Sequence, residues 1–344
     1  MKPVQIIGGG LAGLTLGLLL VRRGVPVSVL EAGEYPRHKV CGEFLSGRGL
    51  ELLEREGLLD GLVQRGARAA RTAAFFTDGG GAVRRELPQT ALCLSRFALD
   101  AELASRFVRA GGQLKTRTRW RGDVSREGMV RAGGRRPHPT SGGWRWYGVK
   151  AHAKQLSLVA DVEMHLLREG YVGLCGIEGE RVNVCGLFRA RPGAAGVGRD
   201  WVDWLCRRGP DSLSGRLRGA EFDPASFTAV AGLSPGKRTP AEADEFSVGD
   251  AMSMIPPITG NGMSIALESA SLAVEPLTCY ARESISWRAA VDRYRAGCRR
   301  AFRWRLRSAA CLHGVLFRAP LAGAMIRCVL RWDPAWRWLF GGTR

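Results

Sequence analysis

The spacing of apolar residues changes character twice along this chain of 344 residues. Residues 3–33 open with the apolar run "PVQII", pass through "GGGLAG", continue as the mostly apolar "LAGLTLGLLLVRRG" and end in "VPVSVLE". Two short apolar runs around a glycine cluster and a longer apolar segment predict strand, turn, helix and strand, a βαβ unit of the usual ~30 residues. Gly24 stands where helices favour a residue free to adopt positive φ. "GLELLEREGLLDGLVQRG" (49–66) reads as an amphipathic helix. "LDAELASRFVRAGGQLKTRTR" (99–119) predicts a helix from Asp100, a stop at Gly111-Gly112 and a strand.

From Trp146 the texture becomes strand-like. "WYGVKAHA", "VEMHLLRE" and "YVGLCGIEGERVNVCGLF" predict an antiparallel sheet, with a turn at Glu178–Arg181 setting Leu174–Ile177 against Val182–Cys185. A short helix is expected around 199–220. "FSVGDA" (246–251) reads as a strand, and "NGMSIALESASLAVEPL" (261–277) as a helix. Residues 285–344 are helical and basic, interrupted at Pro320 and Pro334. Residues 120–145, rich in Arg and Gly, fit neither period. The pattern predicts a mixed α/β fold: a Rossmann-like unit from 1–115 and 225–280, an antiparallel-sheet unit from 116–224 and a helical cap from 281–344.

Charge adds a second asymmetry. The net charge is +19, and residues 281–344 hold fourteen arginines against Glu283, Asp292 and Asp333. An excess of this size suits a solvated arginine surface or an anionic partner. No helix-turn-helix, RNA-recognition or zinc-finger signature accompanies it, so nucleic acid ranks below contact with a membrane surface. Four tryptophans in the tail (Trp304, Trp332, Trp336, Trp338) fit such contact, and a packed helical cap with an arginine surface is the plainer expectation. The nine cysteines are odd in number and form no Cys-x-x-Cys pair, which disfavours disulfide and zinc frameworks. No run of 18 residues is both apolar and uncharged. With no small-residue cleavage site near the N-terminus, a cytoplasmic protein is expected, peripheral at most to the inner face of a membrane.

Gly8-x-Gly10-x-x-Gly13 follows a strand and opens a helix, the setting in which this spacing binds a dinucleotide. Gly8 permits the tight turn, Gly10 lets backbone approach a pyrophosphate, and Gly13 allows close helix–strand packing. The pyrophosphate would meet the helix N-terminus at Leu11 and Ala12, where free N–H groups favour negative charge. Glu31, ending the second strand, can accept from ribose hydroxyls. This motif alone does not separate FAD from NAD.

"GDAMSMIPPITGNGMSIALESA" (249–270) resembles the second flavin motif of the para-hydroxybenzoate hydroxylase superfamily, which includes aromatic hydroxylases, flavin halogenases and geranylgeranyl reductases. The resemblance implies FAD as cofactor, with Gly249-Asp250 at the ribityl chain. It also implies Pro257, Gly260, Asn261, Gly262 and Met263 near the flavin ring, where a helix N-terminus stabilises anionic reduced flavin. "LSRFALDAEL" (94–103) resembles the family's Arg-x-x-Leu-Asp helix start and implies a cofactor contact from Arg96. "YPRHKVCGEFLS" and "EGYVGLCGIEGERVNVCGLF" resemble segments of the geranylgeranyl-reductase-like branch. They imply that the loop leaves the ribose site for the flavin, with Arg37 and Lys39 as phosphate or substrate contacts and Cys41-Gly42 as a turn beside the ring.

The family's mid-chain Ala-Asp-Gly corresponds here to "VRAGGRRP", with Gly133 in place of the acid. In the family that acid helps to bind NADH or NADPH, so the resemblance allows either as reductant but without this docking group. Trp144-x-Trp146 shares the tryptophans of the halogenase Trp-x-Trp-x-Ile-Pro motif without its Ile-Pro. The resemblance implies an FAD-dependent oxidoreductase acting on an apolar small molecule (isoprenoid, polyketide or aromatic metabolite). Its chemistry is either hydride transfer to C=C or flavin-hydroperoxide monooxygenation. A halogenase-like enzyme and a basic nucleic-acid-binding protein are the alternatives. No catalytic residue stands out: Lys150, His152, His165 and Arg168 fall in the predicted sheet with no assigned role.

Overall fold

The computed structural model describes residues 1–77, 82–123, 126–135, 143–167, 169–192, 200–207, 209–233, 244–317, 323 and 328–343. The βαβ pattern forms as expected: β1 (Val4–Ile7), α1 (Leu11–Val21) and β2 (Val27–Leu30), with β1 and β2 parallel. α1 is apolar all round because it is covered all round. It packs against α4 (Arg96–Arg109) and α7 (Gly262–Ala281), and ten of its eleven residues are buried. Gly17 permits this, since a Cβ there would lie 2.9 Å from the Phe107 ring. β6 (Gln113–Lys115), β7 (Met129–Arg131) and β13 (Phe246–Ser247) complete a parallel sheet of order β13-β7-β1-β2-β6.

The second sheet has eight strands in the order β12-β8-β11-β10-β9-β4-β5-β3. These are β3 (Phe44–Leu45), β4 (Arg68–Phe76), β5 (Val83–Cys93), β8 (Arg145–Lys154), β9 (Val162–Leu167), β10 (Gly170–Ile177), β11 (Arg181–Ala190) and β12 (Glu221–Ala231). The hairpin forms where expected but its register is shifted by one residue: Leu174 faces Val184 and Ile177 faces Arg181, so Arg181 belongs to the strand and not to the turn. All neighbours are antiparallel except β4 and β9.

Membership differs from the division expected from the sequence. β4 and β5, expected with the nucleotide unit, belong to the large sheet, and so does β12; β7, expected with the large sheet, belongs to the parallel one. β4 and β5 form a local hairpin, but that hairpin joins the large sheet through β9 and β3, which no local pattern records. The expected helix over 49–66 is two, α2 (Arg48–Arg55) and α3 (Leu59–Gln64), separated at Gly57 with φ +64°. α4 begins at Arg96, not Asp100, because Ser95 caps it by accepting from the Ala98 N–H at 3.0 Å. The short helix expected near 199–220 is α5 (Trp201–Cys206) followed by α6 (Asp211–Arg218), both against the outer face of the large sheet. α8 (Trp287–Leu316) and α9 (Asp333–Gly342) form the cap. Pro334 starts α9 rather than interrupting a helix, and Pro320 lies outside the described residues.

Candidate cofactor and active site

The glycines of the first motif divide by what surrounds them. A Cβ at Gly8, where φ is +115°, would lie 2.5 Å from the Ala132 backbone; one at Gly13 would lie 2.0 Å from the Gly8 carbonyl oxygen. Both are required by the packing of β1, α1 and β7. Gly10 is different: the nearest atom to its added Cβ is an Arg96 guanidinium nitrogen 3.9 Å away. Space is therefore left open beside the N-terminus of α1, which no side chain caps. Open space, uncapped N–H groups and a nearby arginine fit a pyrophosphate. Leu11 and Ala12 are buried in the core, so only their backbone is available to such a ligand.

The Glu31 carboxylate is already engaged. It accepts from Gly9 N–H at 2.7 Å, from Gly33 N–H at 2.8 Å and from Arg37. Burial works against its charge, but these donors outweigh burial and lower its pKa to about 2. A carboxylate offers about four acceptor positions, so one remains for a ribose hydroxyl. Arg37 covers the acid and keeps two guanidinium nitrogens buried without a partner. The Tyr35 hydroxyl donates to the Gly9 carbonyl and fixes the loop to the glycine turn. Lys39 lies with Arg37 and Arg96; burial first, then those two charges, lower its pKa. Arg96 is held by a bidentate pair to Asp100, 2.7 Å at each nitrogen. Three cations against Glu31 and Asp100 leave this region receptive to an anion.

The second motif packs on the N-terminal part of α1. Gly249 has φ +62°, and an added Cβ would touch the Ala12 Cβ at 2.9 Å, so the Gly-Asp turn lies directly on α1. Asp250 is exposed. Surrounding protein raises its pKa, and Arg96 and Arg135 oppose the rise. Pro257 starts a short 3-10 turn, and Gly260 ends it in the left-handed region. Asn261 is fully buried at the start of α7, with neither side-chain amide atom hydrogen-bonded. Beside it, a Cβ on Gly262 would meet nothing within 4 Å. An orphaned amide next to open space fits the polar edge of a flavin ring. Met263 faces the core, so its side chain is a packing group rather than a ligand contact. The residues present therefore fit FAD.

Cys41 belongs to the packing of the loop. Its carbonyl accepts from Asn183 Nδ2 at 3.0 Å, its sulfur accepts from the Glu43 N–H at 3.4 Å, and burial raises its pKa. A protonated thiol in this setting is a poor nucleophile. Gly42 accepts from the Cys175 thiol at 3.2 Å. Gly133 lies beside the Ile7 carbonyl, next to Gly8.

The structure adds a group the sequence left unassigned. Lys150 and His152 alternate along β8 on the face that meets this loop, and both are buried. Between them is Glu43, also buried, with φ +54°. Its carboxylate lies 3.3 Å from Lys150 Nζ and 2.8 Å from His152 Nε2, and accepts from the Arg96 N–H at 2.9 Å. Lys150 Nζ also lies 3.0 Å from His38 Nδ1, and His38 stacks on Phe97. Burial first, then Lys150 and His152, lower the His38 pKa to about 4, so its neutral ring accepts from Lys150. Burial lowers the Lys150 pKa, while Glu43 opposes the shift. A Lys and a His two apart in an apolar strand were the available signal; Glu43, more than 100 positions away, gave none.

Further along the same sheet face, past Gly148, the surface turns apolar. Trp146, Tyr171 and Leu187 pack with Ile258 from the second motif and with Leu316 and Phe317 from the end of α8. His165 lies on the opposite face, 2.8 Å from Glu163, which also pairs with Arg216. Arg168 lies outside the described residues.

Residues 1–136 match the family model of the FAD binding domain. The chain is 30% identical over 127 residues to conditioned medium factor receptor 1 of Dictyostelium discoideum, covering 33% of this chain and 25% of that protein. It is 39% identical over 67 residues to kynurenine 3-monooxygenase of the same organism, covering 18% of this chain and 15% of that protein. These matches thus span a quarter or less of the curated relatives. The fold is similar to that of a flavin-dependent brominase, with TM-score 0.79, 19% identity and coverage of 98% of this chain and 93% of that one.

Proposed function

We propose that this chain is an FAD-dependent monooxygenase acting on an apolar, ring-bearing small molecule. The observation that carries the reading is the shared sheet face: an apolar wall around Trp146 and Tyr171 continues into the buried Glu43–Lys150–His152 group beside the loop that meets Gly9 and Arg96. Gly10, Arg37, Lys39, Arg96, Asp250, Asn261 and Gly262 would hold the cofactor, which supplies the redox chemistry when bound. The apolar wall would orient the ring and exclude water. Lys150 would present a proton donor to a polar substituent, with Glu43 balancing its charge and His38 connecting it to the outside. The FAD-domain match and a monooxygenase among the relatives support this class.

Hydride delivery to a C=C bond is the second reading, favoured by the resemblance of Pro36–Gly42 to the reductase-like branch. The brominase fold and Trp144-x-Trp146 favour a halogenase; here Trp146 belongs to the apolar wall and Trp144 lies under Arg189 and Arg191. Reduce the reconstituted protein without air, then admit oxygen in a stopped-flow spectrometer. The proposal expects a transient absorbance unlike that of oxidised or reduced flavin. Direct, featureless reoxidation favours the reductase, and halide-dependent mass gain in the product favours the halogenase.

A further inference from the structure

α8 spans thirty residues, about 45 Å, and its two faces have different partners. Trp287, Val291, Tyr294, Cys298, Phe302 and Ala309 recur at helical spacing and pack inward. Several of its arginines are also accounted for. Arg288 pairs with Asp244 and Asp292, Arg293 with Glu275, and buried Arg305 with Glu268 at 2.7 Å. Arg299, Arg300, Arg303 and Arg307 are exposed, and none has an acidic partner among the described residues. They flank Trp304, which is 62% exposed. The guanidinium carbons of Arg303 and Arg307 lie 5.3 and 5.5 Å from its ring centroid.

Packing within the chain does not explain this outer face. The core is served by the opposite side of the helix, four like charges within about two turns repel one another, and a large indole is left in water. We propose that the outer face of α8, from Arg299 to Arg307, docks on a bilayer containing anionic phospholipid. Arginine forms forked hydrogen bonds to phosphate, and juxtamembrane basic clusters bind anionic leaflets. The tryptophans decide between lipid and nucleic acid. Trp304, Trp332 and Trp338 are the exposed tryptophans among the described residues, and all lie in the arginine-rich C-terminal segment. Tryptophan beside arginine is the composition of the membrane–water interface. No described helix is long and apolar enough to cross the bilayer, so the contact is superficial.

The test is co-sedimentation of the full chain with phosphatidylcholine vesicles, with and without phosphatidylglycerol. Pelleting is expected only with the anionic vesicles and is lost near ~1 M salt, where screening acts within about 3 Å. R300E/R303E/R307E lowers partitioning at least tenfold, and W304S lowers it severalfold. Thermal melting confirms that each variant is folded. R303Q/R307Q, a milder change, weakens binding by an intermediate factor and serves if the triple variant does not fold. No pelleting with anionic vesicles, or pelleting indifferent to these substitutions, overturns the proposal. Capture of duplex DNA instead of vesicles, with the same sensitivity to the arginine variants, also overturns it.

Discussion

Around the parallel sheet the site is shaped chiefly by side chains that are missing; on the large sheet it is shaped by side chains that meet. Gly8 and Gly13 let β1, α1 and β7 approach one another, and Gly10 and Gly262 leave room for a ligand. The working groups there are backbone N–H donors with arginine and lysine nearby. On the other sheet, Glu43, Lys150, His152 and His38 are brought together by register and by one loop, and backbone contributes a single N–H. A site of the first kind tolerates little change in volume. A site of the second kind is sensitive to removal of one charge.

The largest expected effect follows from the first difference. Gly13→Val pushes a side chain into the Gly8 carbonyl and should cost more than ~4 kcal/mol, leaving no cooperative thermal transition. A normal melting curve would remove the packing role assigned to this glycine.

Next comes Glu43→Gln. It leaves the buried Lys150 cation without its carboxylate, a loss of about 3–5 kcal/mol in denaturant unfolding. Lys150→Met should cost less, because Glu43 keeps the Arg96 N–H and His152, yet turnover should fall far more than FAD affinity. Equal loss of both would assign Lys150 to the cofactor site.

Glu31→Gln should cost of order ~3 kcal/mol, reflecting a carboxylate pKa lowered from 4.5 to about 2. The sign follows from that depression: the stabilisation is complete above pH 4.5 and is lost as pH falls through about 2. Stability measured over this range should be flatter in the variant than in the natural chain.

The smallest effect concerns His38. Its pKa is depressed from 6.5 to about 4, so its contribution is present above pH 6.5 and fades as pH falls through about 4. Following its ring protons by NMR checks this; a pKa near 6.5 would break the link from His38 to Lys150.

The same contrast explains what the sequence disclosed. Gly8, Gly10, Gly13 and Gly249-Asp250 act through contiguous backbone, so their spacing announces them. The β10–β11 pairing followed from one short turn, although its register lies one residue from the expected one. The placement of the β4–β5 hairpin did not, because its outer neighbours are β9 and β3, reached across long stretches of chain. Lys150 and His152 read as ordinary strand residues until β8 and the loop bearing Glu43 were seen to meet. Cys41, prominent in its loop, proved to be a packing residue.

The central claim is that FAD occupies the open side of Gly10. Titration of flavin-free protein with FAD, read by flavin fluorescence quenching, tests it most directly. Binding should saturate at one FAD per chain, and Gly10→Ala should weaken it at least tenfold while leaving the melting of the flavin-free protein unchanged. Failure to bind FAD, or equal affinity in Gly10→Ala, would contradict the account.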